Sequence, residues 1–149
     1  MKNKIDRNAS RVELLREGAR ICASLSREEL VAWAGQVLEA ASALCEPVRE
    51  VRAIVDATKD RSQWASCMPL FSATRALLLR AERTSTDRAT ICLLYLAENV
   101  AKVTYNASGG PAPFDADAGA WILDCAVRLL GALPDRSRGA SLEALLGVQ

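Results

Sequence analysis

The sequence predicts an all-α fold: a single-domain antiparallel helical bundle of about six helices around a central apolar helix at about residues 86–106. Two observations carry this prediction. Strong helix formers, above all alanine and leucine, dominate the composition, whereas aromatic residues make up only 5% of the chain. Apolar residues also recur at helical spacing between capping residues, glycines and prolines. Because the predicted connections are short, neighbouring helices are expected to run antiparallel.

The length and charge of the chain limit its organisation and its partners. The 149 residues suit one domain. We expect a flexible basic N-terminus at residues 1–9 and one helical bundle domain at 10–149. A net charge of +1 gives no electrostatic reason to bind nucleic acid or a membrane surface. The sequence shows no signal-peptide pattern and no run of the ~18 apolar residues that span a membrane. We therefore expect a cytoplasmic protein, and its many alanines and arginines are typical of a bacterial genome rich in G and C.

Three helices are predicted in the first half of the chain. The first spans about residues 10–23. Its predicted buried stripe is Val12, Leu15, Ala19 and Cys22. Ser26 and Glu29 form a capping box at the start of the second helix, which continues to about Cys45. Pro47 suits the first turn of the third helix, because proline lacks the N–H that would be unpaired there. The third helix has one apolar face, formed by Val48, Val51 and Val55 with Ile54 beside them.

Three further helices and a short final one are predicted in the second half. The fourth is predicted from about residue 66 to 83. Its predicted core face is Leu70, Phe71, Thr74, Leu77, Leu78 and Ala81. Ser85 or Thr86 is expected to cap the fifth helix, and Asp115 or Asp117 the sixth. Pro134 ends the sixth helix, and a short final helix is expected after Ser141.

Metal and cofactor chemistry have no support in the sequence. The five cysteines are widely and irregularly spaced, and none belongs to a CxxC pair. The chain has no histidine that could complete a zinc site or activate a serine or cysteine nucleophile. We therefore predict no metal site, no cofactor and no catalytic residue. The cysteines are expected to be reduced and buried as small hydrophobic residues.

The fifth helix carries an unexpected polar stripe. With about 100° of rotation per residue, Tyr95, Glu98, Lys102 and Tyr105 share one side of an otherwise apolar helix. Glu98 and Lys102 have the i,i+4 spacing of an ion pair, which the tyrosine hydroxyls are expected to support. The loop that follows, at residues 106–118, is expected to form the edge of a cleft at this stripe. The candidate binding residues are Tyr95, Glu98, Asn99, Lys102, Tyr105, Asn106, Phe114 and Asp115.

The sequence leaves three functions open. The preferred interpretation is a small non-catalytic protein that acts by binding another protein or a second copy of itself, as an adaptor, accessory or immunity-like partner. The alternative is a sensor that binds a small ligand in a cleft lined by Tyr95, Glu98, Lys102 and Tyr105. A metal-independent enzyme with Glu98 as its base ranks lowest.

A cluster of arginines lies around the connection between the fourth and fifth helices. It consists of Arg75, Arg80, Arg83 and Arg88. Because Glu82 and Asp87 are interleaved with them, the sequence predicts a solvated surface of mixed charge here rather than a basic binding patch.

Overall fold

The computed structural model describes residues 10–84, 87–109 and 117–147, without the side chains of Cys22 and Arg136. This part of the chain forms seven α-helices, two short 3₁₀ segments and no strand, which confirms the all-α prediction. The helices are α1 (Arg11–Ser24), α2 (Arg27–Ser42), α3 (Arg49–Thr58), α4 (Cys67–Thr84), α5 (Arg88–Ser108), α6 (Ala118–Ala132) and α7 (Ala140–Leu146). The 3₁₀ segments are Arg61–Ser66 and Arg136–Gly139. None of the described helices is long and apolar enough to cross a membrane.

Helix α5 lies at the centre of the fold, as its apolar sequence predicts. It packs against α2, α3, α4 and α6. Leu93, Leu96 and Val100 are completely buried in the core. A helix that is apolar on most sides finds its lowest free energy when other helices surround it, because each apolar side chain then leaves water.

Contacts between side chains show that two neighbouring helix pairs run antiparallel. Arg75 of α4 contacts Glu98 of α5, and Glu82, two turns further along α4, contacts Tyr95. In the same way, Glu39 of α2 binds Arg52 of α3, whereas Gly35, one turn earlier in α2, lies against Thr58, later in α3. The short connections predicted this arrangement.

Helix α1 buries a different stripe from the one predicted. Val12 and Ala19 are exposed, whereas Leu14 and Gly18 are buried. The reason lies at Gly18, where a Cβ atom would lie only 2.0 Å from the Cα of Ala120 in α6. The two helix backbones meet at this glycine, and this contact sets the rotation of α1.

The helix starts confirm one capping prediction and correct two others. The capping box is present, since Ser26 accepts from the amide of Glu29 and Glu29 accepts from the amide of Ser26. Helix α5 is capped by Asp87, not by Ser85 or Thr86. Pro47 lies before α3 rather than in its first turn, because Val48 is the N-cap residue. At α6, Asp117, one of the two predicted candidates, occupies the N-cap position, but its side chain makes no capping hydrogen bond.

The four cysteines whose side chains are described are free thiols. Cys67 is buried, and Cys45, Cys92 and Cys125 are half-buried. Burial raises the pKa of Cys45 and of Cys67 to about 11, and burial followed by the charge of Asp124 raises that of Cys125 to about 12. These groups are therefore protonated and poorly nucleophilic near neutral pH.

Thiol titration should reflect this burial. We expect slow reaction of the native protein with a disulfide reagent at pH 7 and fast reaction after unfolding. Unfolded thiols ionise near pH ~8.5 and the buried ones only near 11–12, so the folded state holds more protons between these values. The free energy of unfolding should therefore fall as the pH rises through this window. Rapid reaction of three or more native thiols would contradict the placement of the cysteines.

Candidate functional site: the α4–α5 face

Glu98 is the one residue of the predicted polar stripe that is buried, with 8% of its surface exposed. The Nη1 atom of Arg75 in α4 donates a hydrogen bond of 2.7 Å to Glu98 Oε1. The Arg75 side chain is half exposed, so the pair joins an inner carboxylate to an outer cation. The ion pair links α4 to α5, and the spacing of residues along α5 alone could not reveal it.

The second carboxylate oxygen of Glu98 has unused hydrogen-bonding capacity. Glu98 Oε2 is buried and accepts no hydrogen bond from the described part of the chain. Because a buried polar atom without a partner costs about 1–3 kcal/mol, such atoms are uncommon and mark places where a further donor is favoured. The carboxylate can therefore accept one more N–H or O–H.

Tyr95 lies beside Glu98 in the stripe, but its hydroxyl donates to Oε1 of Glu82 on α4. This hydrogen bond to a carboxylate, with partial burial, raises the pKa of Tyr95 above its usual value. Tyr95 therefore does not support Glu98 as predicted. Its hydroxyl forms a second link between α4 and α5 instead. The ring is fixed at its outer end while 39% of the residue stays exposed.

Asn99 links the stripe to α6. Its Nδ2 atom donates to the backbone oxygen of Tyr95 at 2.9 Å and lies 3.7 Å from the Sγ atom of Cys125. Next to this cysteine, the buried carboxylate of Asp124 accepts from Nε of Arg128 through both of its oxygens, at 3.2 Å each. Asp124 was missed by the sequence analysis, although its i,i+4 spacing to Arg128 is the same signal that identified Glu98 and Lys102.

The other predicted site residues are three residues of α5 and two that the structure does not describe. Lys102 is exposed, and Tyr105 and Asn106 are half-buried on the last turns of α5. Phe114 and Asp115 lie outside the described residues, as does the predicted N-terminal segment 1–9.

Exposed apolar side chains next to the stripe escaped the sequence analysis. Leu79 is 46% exposed and Met68 is 42% exposed, and both lie on the side of α4 that carries Arg75 and Glu82. Leu79 lies about one helical turn before Glu82, the residue of α4 that contacts Tyr95. We define the α4–α5 face as Met68, Arg75, Leu79 and Glu82 of α4 with Tyr95, Glu98 and Lys102 of α5. In the described chain, no group of three or more acidic or cysteine side chains is arranged to hold a metal ion.

The Arg75–Glu98 contact can be measured by a double-mutant cycle. Arg75→Met should destabilise the fold by about 1–3 kcal/mol, because it leaves a buried carboxylate without its donor. The cost stays below that of a fully buried pair because Arg75 reaches solvent. Glu98→Gln should also destabilise, and the double variant should recover at least ~0.5 kcal/mol of the summed loss. Lys102→Met, also on α5, is the control variant. If the losses from Arg75→Met and Glu98→Gln are additive in the double variant, the two side chains are not coupled.

Comparisons with known proteins do not indicate a function, so the function has to be inferred from the chemistry of this face. No protein-family model matches the chain, and neither a curated protein nor a solved structure shows significant similarity to it.

Proposed function

We propose that this chain is a small non-catalytic protein that acts by binding another protein through the α4–α5 face. The observation that carries the proposal is the pair formed by Leu79 and Tyr95. Both side chains are large and exposed, by 46% and 39%, and they lie on neighbouring helices that the hydrogen bond between Tyr95 and Glu82 joins. Single exposed hydrophobic residues are ordinary, but adjacent ones bordered by charges are typical of contact surfaces.

The polar contacts of the face also favour binding. Glu98 holds Arg75, and Glu82 holds Tyr95, so two long side chains are already ordered before a partner arrives. Ordering a flexible side chain at an interface costs about 0.5–1.5 kcal/mol. This cost is smaller for side chains that the free protein already holds in place. Arginine and tyrosine are also among the residues that contribute most to binding free energy in protein interfaces.

The proposed role is that of an adaptor, accessory or immunity-like protein in the cytoplasm of a bacterium. The described cysteines are all free thiols, which suits a reducing compartment. The partner is a different protein or a second copy of this chain.

Photocrosslinking tests the proposal because it captures whichever protein contacts the face. A p-benzoylphenylalanine introduced at Leu79 should give a discrete protein adduct in the native host, and its mass distinguishes a second copy from a foreign protein. The matched control places the same group at Gln36, an exposed position on α2. No adduct from position 79, or the same adducts from both positions, would contradict the proposal.

A small-ligand sensor is the second candidate, and the free capacity of Glu98 Oε2 favours it. A ligand that donates an N–H or O–H to this oxygen would satisfy the buried carboxylate. Such a ligand should raise the melting temperature of the wild-type protein but not that of Glu98→Leu. A screen of small amines and alcohols in which every hit also stabilises Glu98→Leu would exclude this site.

A further inference from the structure

A second surface lies on the other side of α4, where this helix ends and α5 begins. It is an open groove with a volume of about 270 Å³. Its lining includes Val48, Leu77, Arg80, Ala81, Thr84 and Leu94. We call this surface the corner groove. On α4, Leu77, Ala81 and Thr84 follow helical spacing and lie roughly opposite Arg75 and Glu82, so the groove is separate from the α4–α5 face.

The surface of the corner groove is apolar because its hydroxyls are engaged within the fold. The Thr84 hydroxyl donates to the backbone oxygens of Arg80 and Ala81. Thr90, which also lines the groove, donates to Oδ2 of Asp87. Arg80 is therefore the charged residue of an otherwise hydrophobic surface.

Arg80, the arginine that lines this groove, is not paired with either of the acids that lie near it in the sequence. Glu82 points to the opposite side of α4, where it accepts from Tyr95. Asp87 accepts from the amide of Ala89 and so holds its charge against the first turn of α5. Among the residues that the structure describes, Arg80, Arg83 and Arg88 form no ion pair. The corner groove thus combines an apolar lining with one guanidinium group, that of Arg80, to which no acid is bound in the described chain.

We propose that the corner groove binds a segment of a partner protein that presents a large apolar side chain flanked by aspartate or glutamate. The apolar lining accepts the hydrophobic side chain, and Arg80 binds a neighbouring carboxylate. A protein segment fits better than a small molecule. Small-molecule sites enclose most of the ligand in about 300–1,000 Å³, whereas this groove is smaller and open. The inference does not depend on the role of the α4–α5 face.

Titration of the ¹⁵N-labelled protein with capped hexapeptides tests this inference by NMR. The probe is Asp-Glu-Leu-Leu-Glu-Asp, together with versions that carry isoleucine, methionine or phenylalanine at the two central positions. We expect at least one of these acidic peptides to shift the amide signals of residues 77–94 with a Kd below about 1 mM. Lys-Lys-Leu-Leu-Lys-Lys and Asp-Glu-Ala-Ala-Glu-Asp should bind more weakly, because each lacks one half of the recognised chemistry.

Variants of the corner groove test the contribution of the arginine and that of the apolar lining separately. Arg80→Gln should weaken binding about 2- to 5-fold, the range of one exposed ion pair. Arg16→Gln on α1 is the matched control, since it removes an exposed arginine elsewhere. Thr84→Trp should fill the groove and abolish binding, with the melting temperature checked separately.

Three results would overturn the inference: no acidic peptide shifts residues 77–94 at about 1 mM, acidic and basic peptides bind equally, or Arg80→Gln binds like the wild type. Octanoate provides the test for a small amphiphile. If it binds the groove more tightly than every acidic peptide, the occupant is not a protein segment.

Discussion

Replacing Gly18 by alanine should destabilise the protein by about 3 kcal/mol, the upper end of the usual cost of overpacking. An added Cβ atom would lie 2.0 Å from the Cα and 2.4 Å from the amide nitrogen of Ala120. These are backbone atoms of α6, which cannot rotate aside as a side chain can. The only relief is to move α1 away from α6 and so to expose Leu14, which is buried on the same side of α1.

Gly131 provides a matched control for this substitution. It also lies within a helix, the last turns of α6, but an added Cβ would meet nothing within 4 Å. Gly131→Ala should stabilise the fold by about 0.5–1 kcal/mol, because alanine loses less conformational entropy in a helix. Urea unfolding measures both changes, and similar midpoints for the two variants would show that α1 and α6 are not in backbone contact.

Truncation of Leu96 should have a comparably large effect. Leu96 is completely buried at the centre of α5, so Leu96→Ala removes apolar contacts and leaves a cavity, at a cost of about 2–5 kcal/mol. The same change at Leu79, which is 46% exposed, should cost less than about 1 kcal/mol. Both values follow from chemical or thermal unfolding.

The comparison of these two leucines tests the placement of both helices. Equal losses for Leu96→Ala and Leu79→Ala would mean either that α5 is not central or that α4 buries the face assigned to solvent. The second outcome would also remove the apolar part of the α4–α5 face.

The features predicted from the sequence are those that one helix determines by itself. The apolar character of α5 on most sides predicts its central position, and Ser26 with Glu29 predicts the start of α2. Both signals lie within a few turns of chain. The buried stripe of α1 could not be predicted in this way, because Gly18 adds nothing to hydrophobic periodicity. Its contribution is the close approach that it allows to Ala120, which depends on the fold.

The candidate site shows the same limit. Spacing along α5 identified Glu98 as an unusual residue, and the structure places it in the interior. Its partner Arg75 lies 23 residues earlier in the sequence, on another helix. This pairing depends on how α4 and α5 are aligned, and periodicity within either helix contains no information about that alignment. The core face predicted for the fourth helix already excluded Leu79, but periodicity could not show that Leu79 shares a side of α4 with the residues that contact α5.

Photocrosslinking from position 95 in a Leu79→Arg background is the most direct test of the α4–α5 face as a protein contact surface. We expect p-benzoylphenylalanine at position 95 to form a discrete adduct in an otherwise wild-type chain. The added Leu79→Arg change should abolish this adduct and leave the melting temperature nearly unchanged, because Leu79 is an exposed residue. An adduct that persists in the Leu79→Arg background, or the absence of any adduct from position 95, would contradict the proposed contact surface.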